Sequence, residues 1–124
     1  LAVRPNWVLL PFPDRHIDHR IIFDSAVVAC RPIGIEPSQV VLAYETLSET
    51  HWNVAGVEAT FAPEFFVDIS WQMKKKTEAL AKYESQISQA PSRSIDAVNA
   101  LARFRGSQNG CSNAEAFKVV RIVI

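Results

Sequence analysis

The sequence predicts an α/β fold in which strands and helices alternate along the chain. Two nearly continuous apolar runs, 7–10 and 40–44, are typical of strands that are buried on both faces. A third apolar run, 21–29, lies between them and is long enough for a helix. A strand, a helix and a second strand form a βαβ unit, in which the two strands are parallel because the helix carries the chain back across the sheet. We therefore expect a mostly parallel sheet.

We expect the first helix to be well buried and, separately, the start of the chain to lack part of its domain. Apolar residues cover most of the circumference of the helix over 21–29, so we expect it to be buried on more than one side. Turn-forming residues at 31–34 and 36–38 separate it from the second strand. The first strand begins within a few residues of Leu1 and needs neighbours in a sheet. We therefore expect the chain to be the later part of a larger domain.

Local signals place the remaining elements. Serine is favoured at helix N-caps, and glycine is favoured just beyond helix ends. We expect a short strand over 65–69, followed by a helix from Ser70 to about Ser88. A further helix is expected to be capped by Ser94 and to end at Gly106, with a buried stripe at Ile95, Val98, Leu101 and Ala102. A terminal strand is expected over 117–124.

Composition excludes several functional classes. The chain has 124 residues, enough for one domain with a hydrophobic core. Its 13 basic residues balance 13 acidic ones, so no nucleic-acid partner is indicated. No apolar run approaches the roughly 20 residues that cross a bilayer, so we expect no transmembrane segment. Cys30 and Cys111 lack metal-site spacing and favour a reduced, cytoplasmic protein over a disulfide-bonded one.

The loop after the first strand concentrates polar groups. His16, Asp18 and His19 lie between this strand and the first helix, at the strand end where α/β proteins hold their chemistry. If the helix has already begun, residues three apart share one face, so the two imidazoles could bind zinc or divide the roles of ligand and acid or base. A hydrogen-bonded histidine pair at a helix start explains the spacing equally well. A catalytic zinc usually needs three protein ligands, so either the others lie upstream of Leu1 or there is no zinc.

Other candidate residues are each open to two interpretations. Arg15 is expected either to contact substrate or to pair with Asp14, and Glu115 either to serve the site or to form a buried hydrogen bond. The polar segment 45–53 follows the second strand and is expected to border the same site. Within it, His51 and Trp52 either line a sugar pocket or are a surface histidine beside a packing tryptophan, and Glu45 is similarly open. No nucleophile elbow, P-loop or Gly-rich dinucleotide turn is present.

The residues of the histidine loop and of several later segments resemble those of a known enzyme family. The segment Pro11-Phe12-Pro13-Asp14-Arg15-His16-Ile17-Asp18-His19-Arg20, running into Ala29-Cys30-Arg31-Pro32, is similar to the second metal motif of the PIG-L/LmbE-like zinc deacetylases. The resemblance continues in the family's order through 44–46, 66–70, 76–80, 83–86, 105–106 and 114–117. Two positions depart from it: Ile17 stands where many members have proline, and Asn113 where several have tyrosine.

The resemblance implies a fold and a reaction. It implies a Rossmann-like three-layer α/β fold and hydrolytic removal of the N-acetyl group from an N-acetylglucosaminyl small molecule or glycolipid. It implies one zinc ion, with His19 as the third ligand. His16 would stabilise the reacting amide as a cation or protonate the leaving amine, and Asp18 would orient a histidine. Zinc would lower the pKa of its bound water to around 7.

The family's first motif, of the form His-Pro-Asp-Asp, is absent. The resemblance therefore implies that residues 1–124 are the carboxyl-terminal portion of a single deacetylase domain, inactive alone, with the remaining zinc ligands upstream. A different class of function is a non-catalytic α/β binding or interaction module that keeps the motif as a structural turn. A phosphoester-cleaving metallohydrolase is disfavoured by the lack of a second ligand cluster. A homo-oligomer is compatible with the sequence.

Overall fold

The computed structural model describes residues 3–33, 38–87 and 90–124. Within these ranges the elements are β1 (Trp7–Pro11), α1 (Ile17–Ala29), β2 (Val40–Tyr44), β3 (Phe65–Asp68), α2 (Met73–Leu80), α3 (Ile95–Ser107) and β4 (Ala114–Ile122), with short 3-10 turns at Thr50–Trp52 and Pro91–Arg93. Most of the turn expected over 36–38, and the helix end expected at Ser88, lie outside the described residues. No helix formed by the described residues combines the length and apolar character that crossing a membrane requires.

The four strands form one mixed sheet in the order β1-β2-β4-β3. β1 and β2 are parallel, with Trp7 opposite Val40 and Pro11 opposite Tyr44, which confirms the βαβ unit. Pro11 is accommodated because β1 is at the edge of the described sheet, where a strand tolerates a residue without an N–H.

The expectation of a mostly parallel sheet is wrong for the described strands. β4 pairs with β2 in the antiparallel direction. β3 and β4 are also antiparallel, because the amide of Glu64 bonds Phe117 O while the amide of Ile69 bonds Asn113 O, so one strand ascends as the other descends. Apolar character indicates that a strand is buried, but only the preceding connection decides its direction.

The chain divides into two compact units, which we describe separately. The first unit comprises Leu1–Phe65 and Phe117–Ile124, and the second comprises Phe66–Ala116. The core of the first unit is built around β2, where Val40 and Leu42 pack with Phe117. All four residues of 40–43 are buried, which explains why this strand is apolar at successive positions rather than alternating ones.

Helix α1 is less buried than its sequence predicts. It begins at Ile17, one turn before the predicted start at Ile21, and packs against β1. None of its residues is buried, and Ile17, Ile21 and Val28 are each more than half exposed. Burial of α1 on more than one side is therefore wrong for the described residues.

In the second unit, α2 is shorter than expected. Its N-cap is Gln72 rather than Ser70, and the helix ends at Leu80. The hydroxyl of Ser70 donates to Asp68 Oδ1 at 2.6 Å and accepts from the amide of Asn113 at 3.1 Å. Ser70 therefore closes the turn after β3 and is not available to cap a helix.

Helix α3 begins as the sequence predicts but ends differently. The Ser94 hydroxyl accepts a hydrogen bond from the amide of Ala97 at 3.1 Å, which confirms it as the N-cap. Gly106 lies inside the helix, and the C-cap is Gln108. A Cβ atom at Gly106 would lie 2.6 Å from the carbonyl oxygen of Cys111, so glycine is required here by the close approach of the following loop.

Candidate functional site

The candidate site is built on the loop between β1 and α1. His16 is the N-cap of α1, with extended backbone angles (φ −77°, ψ 123°), and its Nδ1 accepts a hydrogen bond from the amide of Asp18 at 3.3 Å. An imidazole nitrogen thereby satisfies one of the amides that every helix start leaves without a partner. This cap explains why α1 begins at Ile17 and leaves Nε2 of His16 as the proton-carrying nitrogen.

A buried carboxylate holds the second histidine. The side chain of Asp14 is 1% exposed, and its two oxygens lie 2.8 and 2.9 Å from His19 Nδ1. The amide of His16 also donates to Asp14 Oδ1, at 2.9 Å. Because Nδ1 donates its proton to this carboxylate, the lone pair of the neutral His19 ring is on Nε2. Asp14 therefore selects both the tautomer and the orientation of His19.

Asp14 is also bonded to the segment that follows β2. The hydroxyl of Thr50, a buried residue, donates to Asp14 Oδ2 at 3.1 Å and accepts from the amide of Thr46 at 2.7 Å. Nearby, the side-chain amide of Asn53 donates to the carbonyl of Pro13 at 3.1 Å. The carboxyl ends of the two parallel strands thus meet, as they do where α/β proteins bind ligands. The segment 45–53 borders the loop that carries the histidines.

The two histidine rings lie face to face. Their centroids are 4.7 Å apart and their planes differ by 25°. Asp18, expected to orient a histidine, has a side chain that is 73% exposed, with an oxygen 3.9 Å from His16 Nδ1, beyond hydrogen-bonding distance. The orienting carboxylate is therefore Asp14 rather than Asp18, because only a buried group that accepts directly from the ring can fix its angle. A catalytic role for Asp18 stays a prediction.

Arg15 pairs with a carboxylate other than Asp14. Its guanidinium lies 2.8 Å from Glu58 Oε1, while the amide of Val54 donates to Glu58 Oε2 at 2.8 Å. These contacts, first that with the Val54 amide and then that with Arg15, hold the pKa of Glu58 below its usual value. The pair connects the turn around Gly56, where φ is +79°, to the histidine loop. Contact of Arg15 with a substrate stays a prediction.

A second carboxylate–histidine pair follows β2. His51 Nε2 lies 3.1 Å from Glu45 Oε2, and the carboxylate of Glu45 is largely buried whereas the imidazole is half-exposed. The next residue, Trp52, has a largely exposed ring. An exposed tryptophan beside a positioned imidazole leaves the sugar-pocket interpretation open and does not favour the packing one.

Glu115 lies in the second unit. Its carboxylate is 2.5 Å from Lys76 Nζ, and both side chains are partly exposed. The hydrogen-bonding role is thus observed with Lys76, but in a partly buried rather than a fully buried environment. A substrate-binding role for Glu115 stays a prediction.

The arrangement around His19 suits a zinc ligand, although it is one ligand and not a full set. Histidines that bind metals almost always donate their other ring N–H to a carboxylate or carbonyl, as His19 does to Asp14. Among the described residues, no group of three or more His, Cys, Asp or Glu side chains is placed to hold a metal ion. The described residues therefore fit part of a zinc site.

Comparison with known proteins gives a relative of similar fold. No protein-family model and no curated protein matches the chain. Five solved chains match, and one of them is the conserved protein TT1542 from Thermus thermophilus. Its crystal structure is similar to this chain with a TM-score of 0.72 and 28% sequence identity, over 98% of this chain and 54% of that one. The chain thus spans about half the length of this relative.

Sequence reasoning found the two histidines but missed Asp14 and Thr50 as their support. An aspartate two residues before a helix N-cap is a local signal that its carboxylate can accept backbone amides. Nothing in the local sequence indicates that Thr50, which is 36 residues further along the chain, donates to the same carboxylate. That contact depends on the parallel pairing of β1 and β2.

Proposed function

We propose that this chain carries part of the active site of a zinc-dependent hydrolase, which removes the N-acetyl group from an N-acetylglucosaminyl compound. The observation that carries the proposal is His19, whose Nδ1 is held by the buried carboxylate of Asp14 so that Nε2 is free to bind a metal. The similarity of 11–20 to the second metal motif of the PIG-L/LmbE-like deacetylases supports it. We also propose the Rossmann-like three-layer fold of that family.

The remaining zinc ligands are proposed to come from polypeptide upstream of Leu1. The described residues provide too few ligands, and the relative TT1542 is nearly twice as long as the part that matches. When bound, zinc lowers the pKa of a water ligand to around 7 and polarises the amide carbonyl. The work of this chain is to position an imidazole for the metal and another for the substrate.

His16 is the residue proposed to act on the reacting amide. Its Nδ1 accepts from the amide of Asp18, so its N–H is on Nε2, which can donate a hydrogen bond to the reacting amide. The ring is stacked on that of His19, which keeps it beside the nitrogen that would bind the metal.

Aromatic and charged side chains are proposed to bind the substrate. The exposed ring of Trp52 offers an apolar face of the kind that packs on a pyranose ring. Arg15 and Glu115 are proposed substrate contacts, which requires Arg15 to exchange Glu58 for the substrate. The substrate is a soluble N-acetylglucosaminyl molecule or a glycolipid, and the proposed location is the cytoplasm.

The test is zinc binding and acetate release by a polypeptide that includes the segment upstream of Leu1. We expect His19→Ala to abolish stoichiometric zinc binding, and His16→Ala to retain zinc but lose at least 100-fold in kcat, consistent with the ~10²–10⁴-fold contribution of acid–base catalysis. His51→Ala, which removes an imidazole outside the pair, is the control and retains zinc. A longer polypeptide that binds no zinc, or a His19→Ala variant that still binds it, contradicts the proposal.

The same experiment distinguishes a non-catalytic binding module. That alternative is favoured by the absence of three clustered ligands among the described residues. Under it, Asp14 and the histidines only shape the loop before α1, and zinc does not raise the unfolding temperature of either polypeptide.

A further inference from the structure

Thr50 has no role in the proposed chemistry, yet its side chain contacts the centre of the site. It is buried, and it lies in the 3-10 turn that follows β2. Its hydroxyl oxygen accepts from the amide of Thr46 at 2.7 Å and lies 3.1 Å from Asp14 Oδ2. A hydroxyl has one proton, and a carboxylate oxygen only accepts, so the proton of Thr50 points at Asp14.

Asp14 is surrounded by three donors of different origin. These are the amide of His16 and the imidazole of His19 on its own loop, and the hydroxyl of Thr50 from the loop after β2. The two donors of its own loop can move with Asp14, because they belong to the same segment. Among the described donors to this carboxylate, Thr50 is the one that lies on another segment, the turn directly after β2.

We propose that Thr50 is a positioning residue that fixes the rotamer of Asp14 and, through Asp14, the tautomer and ring angle of His19. The effect on zinc rests on the proposed function, whereas the effect on the His19 ring does not. Without the hydroxyl, one oxygen of a buried carboxylate loses a donor, and the amide of Thr46 loses its acceptor. Asp14 can then rotate towards other donors, and His19 gains access to the tautomer with its proton on Nε2, in which Nε2 has no lone pair for a metal.

The experiment compares Thr50→Val, which removes the hydroxyl at nearly constant shape, with Thr50→Ser, which keeps it. Ring ¹⁵N chemical shifts report the tautomer of His19 in the metal-free chain, at about pH 8.5, where imidazoles are ordinarily neutral. We expect the wild type and Thr50→Ser to hold a single tautomer protonated on Nδ1, and Thr50→Val to show a mixture. Thr46→Val is the control: it alters a neighbouring threonine but leaves its backbone N–H in place, and it keeps the single tautomer.

Zinc affinity of the longer polypeptide is the second readout. We expect Thr50→Val to weaken it by about 10- to 100-fold, as is usual when the support of a ligating histidine is lost, and Thr50→Ser to restore it. If Thr50→Val does not fold, Thr50→Cys, a weaker donor of similar size, is expected to shift the tautomer in the same direction. A single tautomer in the folded Val or Cys variant overturns the inference. A tautomer change in a protein that binds no zinc overturns the proposed function and leaves the role of Thr50 intact.

Discussion

At the scale of single residues, two aspartates near the histidines have different environments. Asp14 is buried and accepts from three donors, whereas Asp18 is mostly exposed and lies 3.9 Å from the nearest ring nitrogen. Hydrogen bonds to a metal-ligating histidine raise its basicity and fix its angle, and a buried carboxylate of fixed geometry provides both. The pair Asp14 and His19 is therefore the unit on which the proposed metal site depends.

Replacing the two aspartates by asparagine separates their roles. Asp14→Asn places an NH₂ group opposite a donor and is expected to lower zinc affinity by about 10- to 100-fold. It is also expected to lower the free energy of unfolding by about 1–3 kcal/mol, the cost of leaving buried donors poorly paired. The matched control, Asp18→Asn, changes an exposed side chain and is expected to leave both quantities nearly unchanged.

Isothermal titration calorimetry with zinc and urea denaturation measure these effects. Equal losses of zinc affinity and of unfolding free energy in the two variants would show that charge near the loop, rather than the hydrogen bond of Asp14, supports His19.

The contacts of His16, His19 and Asp14 show how far the local sequence predicts a site. His16 and His19 could be found because both lie directly after a strand and share a helix face. Asp14 is equally local, but its burial depends on neighbours that the sequence does not identify. Thr50 was unpredictable, since its contact with Asp14 exists only after β1 and β2 have paired.

At the scale of elements, the helix ends show which local rules are decisive. Ser94 caps α3 as predicted because its hydroxyl accepts from the amide of Ala97. Ser70 follows the same rule in sequence but fails in structure, because its hydroxyl is taken by Asp68 and Asn113. A capping residue acts only when no stronger tertiary partner competes for its side chain.

Gly106 provides a test at the element scale. Glycine to alanine inside a helix ordinarily stabilises it by about 1 kcal/mol. Here the added Cβ would lie within 2.8 Å of backbone atoms of Cys111, Ser112 and Asn113, which cannot rotate away as a side chain can. We expect Gly106→Ala to destabilise the protein by about 1–3 kcal/mol, the usual cost of overpacking.

Urea denaturation measures this change. Ala100→Gly, at an exposed position of the same helix, is the control and is expected to lose about 1 kcal/mol by helix propensity alone. A stabilised Gly106→Ala variant would mean that the loop after α3 does not approach the helix so closely.

At the scale of the whole molecule, apolar character and burial do not coincide. The central strand β2 is as buried as its sequence predicts, while α1 is apolar on most sides yet has no buried residue. The strand has a neighbouring strand on each side in the sheet, whereas α1 packs against β1 and keeps much of its surface exposed. Apolar sequence therefore predicted burial correctly for β2 but not for α1.

Two substitutions that shorten a side chain measure this difference in burial between β2 and α1. Leu42→Ala, at a residue that is 0% exposed, is expected to lose about 2–5 kcal/mol of unfolding free energy, because it leaves a cavity in the core. Ile21→Ala, at a residue that is 59% exposed, is expected to change it by less than about 1 kcal/mol in this chain. Equal losses in urea denaturation would mean that the outer face of α1 is covered in solution, for example by a second copy of the chain.

The fold class was predictable from the sequence, but its full topology was not. The βαβ unit follows from two apolar strands separated by one helix. The sequence does not predict that β4 is antiparallel to β2 or that it lies next to it. The same apolar, β-branched sequence suits either strand direction and several positions in a sheet.

The place of β4 in the sheet also has a consequence for synthesis. Residues 114–122 come after β2 and β3 in the chain but lie between them in the sheet. While the protein is being made, both strands leave the ribosome before the strand that separates them exists. Pairing that spans such distances along the chain is slow, and unpaired apolar strands are prone to aggregate in the meantime. The nascent chain therefore passes through an interval in which one edge of β2 is open, and this is the interval in which a ribosome-associated chaperone would protect it.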